Sequence, residues 1–108
     1  MSYFCDLKAR KPKKLFSGVQ AKTFWGDKML IAVVELDGSA VVPAHSHPHE
    51  QAGVVLAGEF VMTIGDETKK MKPGDSYVIP GNVIHSVRVF DKPAKVMDIF
   101  SPVREEYK

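Results

Sequence analysis

Seven prolines and eight glycines cut this 108-residue chain at short intervals, and that punctuation constrains its fold more than any other feature. Helical signals are weak throughout. The runs between the breakers are short and rich in Val, Ile, Phe and Thr, residue types that suit a pleated, half-buried surface. Candidate strands cover 19–24, 29–36, 51–57, 59–64, 68–71, 76–79, 84–90 and 95–100. Asp37-Gly38 and Gly65-Asp66 are turn pairs between strand-like runs. Pro73-Gly74 and Pro80-Gly81 bracket a short strand and leave both prolines outside its interior, as a ladder requires. In Glu59-Phe60-Val61-Met62-Thr63-Ile64 the large residues Phe60, Met62 and Ile64 alternate with the others, so period two assigns them to the interior face. The pattern predicts an all-β fold, either a sandwich or a closed barrel.

The length suits one domain, and a 44% hydrophobic share is ordinary for a globular chain. Cys5 stands alone, so no internal disulfide exists, and it reads as the reduced thiol of a cytosolic protein. Residues 1–18 lack the apolar core of a secretory signal. No apolar run approaches the ~18 residues that cross a membrane. A soluble, cytoplasmic protein with no membrane partner is expected. The net charge of +2 hides a basic cluster: Lys8, Arg10, Lys11, Lys13 and Lys14. Such a run can grip phosphates. No aromatic residue interleaves with it, however, and Pro12 breaks any helix there, so a solvated leader without a nucleic-acid partner is expected.

Three of the four histidines, His45, His47 and His49, fall within five residues, and His85 follows 36 residues later. In a β context, residues at i and i+2 point to the same side, so His45 and His47 can share one ion. Neutral imidazole suits several transition metals. Gln51 shares the parity of these histidines, whereas Glu50 has the opposite parity and points away unless a bulge near Pro48 intervenes. Parity alone leaves open whether His49 or Gln51 completes the set.

Two segments carry a resemblance to a known family. Gly38-Ser-Ala-Val-Val-Pro-Ala-His45-Ser-His47-Pro-His-Glu-Gln51, with Gly58 after six further residues, resembles the first cupin motif. Gly74-Asp-Ser-Tyr-Val-Ile-Pro80-Gly-Asn82-Val-Ile-His85 resembles the second. The resemblance implies a cupin double-stranded β-helix, a jelly-roll barrel formed by a single domain over 1–108. A basic leader would cover 1–18, the barrel about 19–101 and a C-terminal tail 102–108. Two positions depart from the motifs. Asn82 replaces a glycine, and asparagine tolerates positive φ better than other side chains. Gln51 stands where the motif has glutamate, which leaves an all-neutral ligand set and a stronger Lewis acid.

The tail Asp98-Ile-Phe100-Ser-Pro-Val-Arg104-Glu-Glu-Tyr107 resembles that of the pectin-degradation cupins, which convert 4,5-unsaturated monouronates into linear keto sugars. By that resemblance His45, His47, Gln51 and His85 hold one divalent transition metal, whether Ni, Zn, Mn or Fe. Asp98, Phe100 and Arg104 then face a small sugar-derived substrate, Asp98 as general acid or base and Arg104 on a carboxylate. Phe60, Met62, Ile64 and Phe100 would wall the pocket, and Tyr77 and Trp25 could line it or simply pack. His49 is expected behind the ligands or exposed. Independently of the resemblance, Asp98 interrupts the apolar run 96–100, where a carboxylate costs several kcal/mol unless it is paired or faces outward on an edge strand. A surface position near the terminus is the alternative for Arg104. The resemblance also implies a homodimer. Two other functions fit the same residues: a metal-dependent dioxygenase and a non-catalytic cupin that binds a small ligand.

Overall fold

The structure is a computed structural model and describes residues 3–108. Ten strands follow one another: β1 (Lys13–Phe16), β2 (Val19–Trp25), β3 (Leu30–Leu36), β4 (Val41–His45), β5 (Glu50–Ala57), β6 (Phe60–Ile64), β7 (Glu67–Met71), β8 (Ser76–Ile79), β9 (His85–Val89) and β10 (Ala94–Ser101). A 3-10 turn, Glu105–Tyr107, closes the chain. No helix among the described residues is long and apolar enough to cross a membrane.

Period-two alternation explains the strands. In β3, Leu30, Ala32, Val34 and Leu36 are buried while Glu35 is exposed. In β10, Ala94, Val96, Asp98 and Phe100 point inward. In β6, Phe60 and Met62 are buried as their spacing requires, and Ile64 is half-buried. The strands form two antiparallel sheets, one ordered β1-β2-β3-β10-β5-β8 and the other β4-β9-β6-β7. Their inner faces share one apolar core, in which Leu30, Val55, Phe60, Ile79 and Phe100 are the largest fully buried side chains. Removing those surfaces from water is the main favourable term for a chain this small.

Two strands escape the sequence reading. β4 contains Pro43, which reads as a breaker. The proline is tolerated because β4 is an edge strand and its pairing with β9 shifts register between Val42 and His45. β1 lies within the stretch assigned to a basic leader over 1–18. Lys13 and Lys14 stay exposed, but Leu15 and Phe16 pack against the core, and the strand pairs with β2 through a bulge. The strand-forming part of the chain therefore begins at 13 instead of 19. Several of the leader's charges are also occupied. Arg10 lies 4.9 Å above the Trp25 ring, and Lys13 Nζ donates to the carbonyls of Glu106 and Lys108. Together with the Thr23 hydroxyl, which donates to the Tyr107 carbonyl at 2.6 Å, Lys13 ties the C-terminal turn to β1 and β2. Asn82 does adopt positive φ, at 68°.

Candidate metal centre

The two sheets bring the histidines and their neighbours together from opposite sides. On the four-stranded sheet His45 ends β4 and His85 opens β9, and the two are cross-strand partners. Gln51 near the start of β5 and Asp98 in β10 belong to the six-stranded sheet. His47 lies in the short link from β4 to β5, just before the bend at Pro48 and His49 that carries the chain from one sheet to the other. The imidazole centroids of His45 and His85 are 4.4 Å apart, those of His47 and His85 5.0 Å. One ring nitrogen from each of His45, His47 and His85 lies within 4.8 Å of the others, a group that could hold a metal ion.

The rings are fixed in one protonation pattern. Nδ1 of His45 lies 2.8 Å from the Pro43 carbonyl, that of His47 3.0 Å from the His49 carbonyl, and that of His85 2.9 Å from the Val83 carbonyl. A carbonyl oxygen only accepts, so each Nδ1 carries the hydrogen, and in its neutral form each ring keeps its lone pair on Nε2. Burial first, then the Arg104 charge, pulls His47 down to about 4. Burial also lowers His85. Neither ring needs to shed a proton near neutral pH before it can bind a cation.

Two details fit a divalent transition ion. His85 Nε2 is buried without a hydrogen-bond partner, an arrangement that costs free energy unless something fills it. His47 Nε2 and Gln51 Oε1 face each other at 3.1 Å, both with lone pairs. Neighbouring ligands on one ion are spaced about 3 Å apart when metal–ligand distances are about 2.1 Å. Three imidazoles and an amide oxygen form a neutral donor set of the kind that Ni, Zn, Mn or Fe accepts.

The cavity lined by His45, Gln51 and His85 is also lined by Phe60, Met62, Tyr77, Asp98, Phe100 and Arg104. Asp98 is 7% exposed and faces inward, which removes the edge-strand alternative. Burial raises its carboxyl to about 6, while hydrogen bonds from Tyr77 and Gln51 and the Arg104 charge hold it from rising further. Burial also pushes the Tyr77 hydroxyl up, as does the neighbouring carboxylate. Arg104 is 9% exposed, not on the surface. Its guanidinium lies 4.0 Å above the Tyr107 ring and 5.4 Å above the Phe100 ring, and its Nε reaches Glu106 Oε1 at 3.2 Å.

The sequence-derived candidates therefore converge on one region: His45, Gln51, Phe60, Met62, His85, Asp98, Phe100 and Arg104 line the cavity, and His47 packs against His45 and His85. Gln51 is buried and Glu50 exposed, in keeping with their parity. His49 is half-buried, and its backbone carbonyl receives the His47 ring. Trp25 does not line the cavity. It is 42% exposed at the end of β2, under Arg10. Ile64 is likewise outside the lining residues. Sequence reasoning missed Leu15 and Phe16 of β1, which line the cavity, and Phe16 lies 5.8 Å from His45. It also gave no part to Tyr107, which fixes Arg104 from below. No periodic signal marks a residue in a 3-10 turn.

Comparison with known proteins places this geometry. The cupin domain family (Cupin_2) matches residues 32–100, and the chain belongs to that family. It is 30% identical over 97 residues to the pectin degradation protein KdgF of Dickeya dadantii, a match covering 88% of each chain. The solved structure of KdgF from Halomonas sp. superposes with a TM-score of 0.91 at 26% identity over the full length of both chains. An RmlC-like cupin from Shewanella frigidimarina superposes with a TM-score of 0.92 at 23% identity, covering 100% of this chain and 97% of that one. The protein is thus a cupin close to the pectin-degradation cupins.

Proposed function

We propose that this cupin is a metal-dependent enzyme that opens a 4,5-unsaturated uronate, or a closely related sugar acid, to its linear keto form. The observation that carries the reading is the buried Asp98 carboxyl sharing one cavity with His45, His85 and a buried Arg104, with His47 grouped against the two histidines. Similarity to a pectin degradation protein over 88% of the chain supports the substrate class.

His45, His47, His85 and Gln51 would hold the ion, which supplies a Lewis acid that orients and polarises substrate oxygens. Arg104 is suited to the uronate carboxylate. Its guanidinium is always charged, forms paired hydrogen bonds with carboxylates, and is braced by the Tyr107 ring below it. Ring opening breaks the bond between the ring oxygen and the hemiacetal carbon. One hydroxyl proton leaves that carbon's oxygen, and one proton arrives at the carbon that loses its double bond. A single carboxyl can perform both transfers, and Asp98, raised to about 6, is poised to accept and return a proton near neutral pH. Phe60, Met62 and Phe100 form an apolar wall that limits water.

The test follows the ultraviolet absorbance of the conjugated double bond in an unsaturated monouronate. Protein loaded in turn with nickel, zinc, manganese and iron should abolish that absorbance with at least one of them. Asp98→Asn, assayed with metal in saturating excess, should slow the reaction by roughly 10²–10⁴-fold. Wild-type protein that leaves the absorbance unaltered with every metal refutes the uronate reading.

A further inference from the structure

Tyr77 has no part in the reaction proposed above, yet three strands cooperate to bring its hydroxyl into the site. In the six-stranded sheet Asp98 of β10 pairs with Gly53 of β5, and Gly53 pairs with Tyr77 of β8. Side chains two strands apart stand nearly 10 Å from each other at the backbone, and an ordinary residue between them keeps them separate. Gly53 has no side chain. A Cβ there would overlap both Asp98 Oδ1 and the Tyr77 ring and hydroxyl. The vacated position is crossed by a hydrogen bond in which the Tyr77 hydroxyl donates to Asp98 Oδ1.

Gln51 stands two residues before Gly53 on the same inner face of β5. Its Oε1 is 3.1 Å from His47 Nε2, so its NH₂ end faces away from the histidines. Gln51 and Asp98 line the same cavity, and the amide acts to lower the Asp98 carboxyl, as donation from that end would. The series runs from Tyr77 to Asp98 to the Gln51 amide, and ends with an oxygen turned toward the histidine lone pairs. A glutamine amide has two opposite faces, and only one of them presents oxygen. If the carboxylate rotates away, the amide can turn and donate its NH₂ to His47 Nε2. An ion would then meet hydrogens where it needs a lone pair.

We propose that Tyr77 is a positioning residue for the metal centre: through Asp98 it holds the Gln51 amide with its oxygen toward the histidines, and Gly53 is the gap in the sheet that lets it do so. The consequence for metal affinity rests on the metal reading given above, while the amide's orientation does not.

Two measurements test it. The first is ¹⁵N NMR of the metal-free protein, with the Gln51 side-chain amide identified by its loss in Gln51→Ala. Tyr77→Phe, which keeps the ring and removes the hydroxyl, should shift that NH₂ pair and speed its exchange with solvent by roughly three- to tenfold, the weight of one hydrogen bond. Gly53→Ala should reproduce the change. The second is zinc affinity by chelator competition. Tyr77→Phe should weaken binding by roughly three- to tenfold in the wild-type background and leave it unchanged in Gln51→Ala, where no amide remains to be oriented. An unchanged amide signal in Tyr77→Phe overturns the proposal, and so does an equal loss of affinity in both backgrounds. If the wild-type protein binds no zinc, the metal reading fails and the amide signal alone decides the role of Tyr77.

Discussion

Replacing Asp98 by asparagine in the metal-free protein should remove a defined part of its pH-dependent stability. Asp98 is 7% exposed, and burial raises its carboxyl from 3.8 to about 6. The sign follows from proton counting. Between these values the unfolded chain has released the proton and the folded chain still holds it. The unfolded state therefore binds fewer protons, and stability falls as pH rises. The stability associated with the neutral carboxyl is complete below about pH 3.8 and is lost as pH passes about 6. A shift of this size corresponds to about 3 kcal/mol, as an order of magnitude. Asparagine does not titrate, so its profile lacks the step, whereas terms from the histidines are common to both proteins and cancel in the difference. The assay is urea unfolding of chelator-treated protein at intervals from pH 3.5 to 8. The wild type should lose about 3 kcal/mol relative to Asp98→Asn across that range. A flat difference profile would mean that the carboxyl titrates like one in water, and the argument for a buried proton carrier would fail.

Gln51→Glu should tighten metal binding about tenfold, because a carboxylate holds a cation more strongly than an amide. A sharp fall in affinity with the fold intact would remove Gln51 from the ligand set. Arg104→Ala should act mainly on KM, raising it about 10–100-fold, the weight of a charge-assisted pair with the substrate carboxylate, with a smaller effect on kcat. An unchanged KM would deny Arg104 its role. His47, held down to about 4, protonates near 6.5 once unfolded, so the unfolded state takes up more protons in that interval. The metal-free protein should therefore lose stability as pH falls from about 6.5 toward 4, and His47→Asn should blunt that loss. Identical acid limbs in the two proteins would contradict it.

Much of this was legible in the sequence, and the limits have physical causes. Alternation fixed the inner face of β6 because Phe60, Met62 and Ile64 stand on one side of it, whereas in β10 the inward Asp98 breaks the apolar set and left its face open. The same periodicity aimed His45 and His47 together but could not choose between His49 and Gln51. That choice depends on the bend at Pro48 and His49, where the strand pattern lapses and the His49 carbonyl, not its ring, serves His47. The cupin motifs, and not parity, are what pointed to Gln51. Pro43 concealed β4 because the sequence does not reveal that the strand lies at an edge and bulges. The lysines concealed β1 because two adjacent apolar residues, Leu15 and Phe16, are too short a signal. The Asp98–Gly53–Tyr77 row was beyond reach, since its members come from three strands whose register only the folded sheet defines.

The most direct test of the account is elemental analysis of freshly purified protein, paired with the double variant His45→Ala, His85→Ala. The account predicts one divalent transition ion per wild-type chain, removable by chelator and restored by Ni, Zn, Mn or Fe, with none retained by the double variant. Wild-type protein that carries no such ion and takes up none of the four would contradict it.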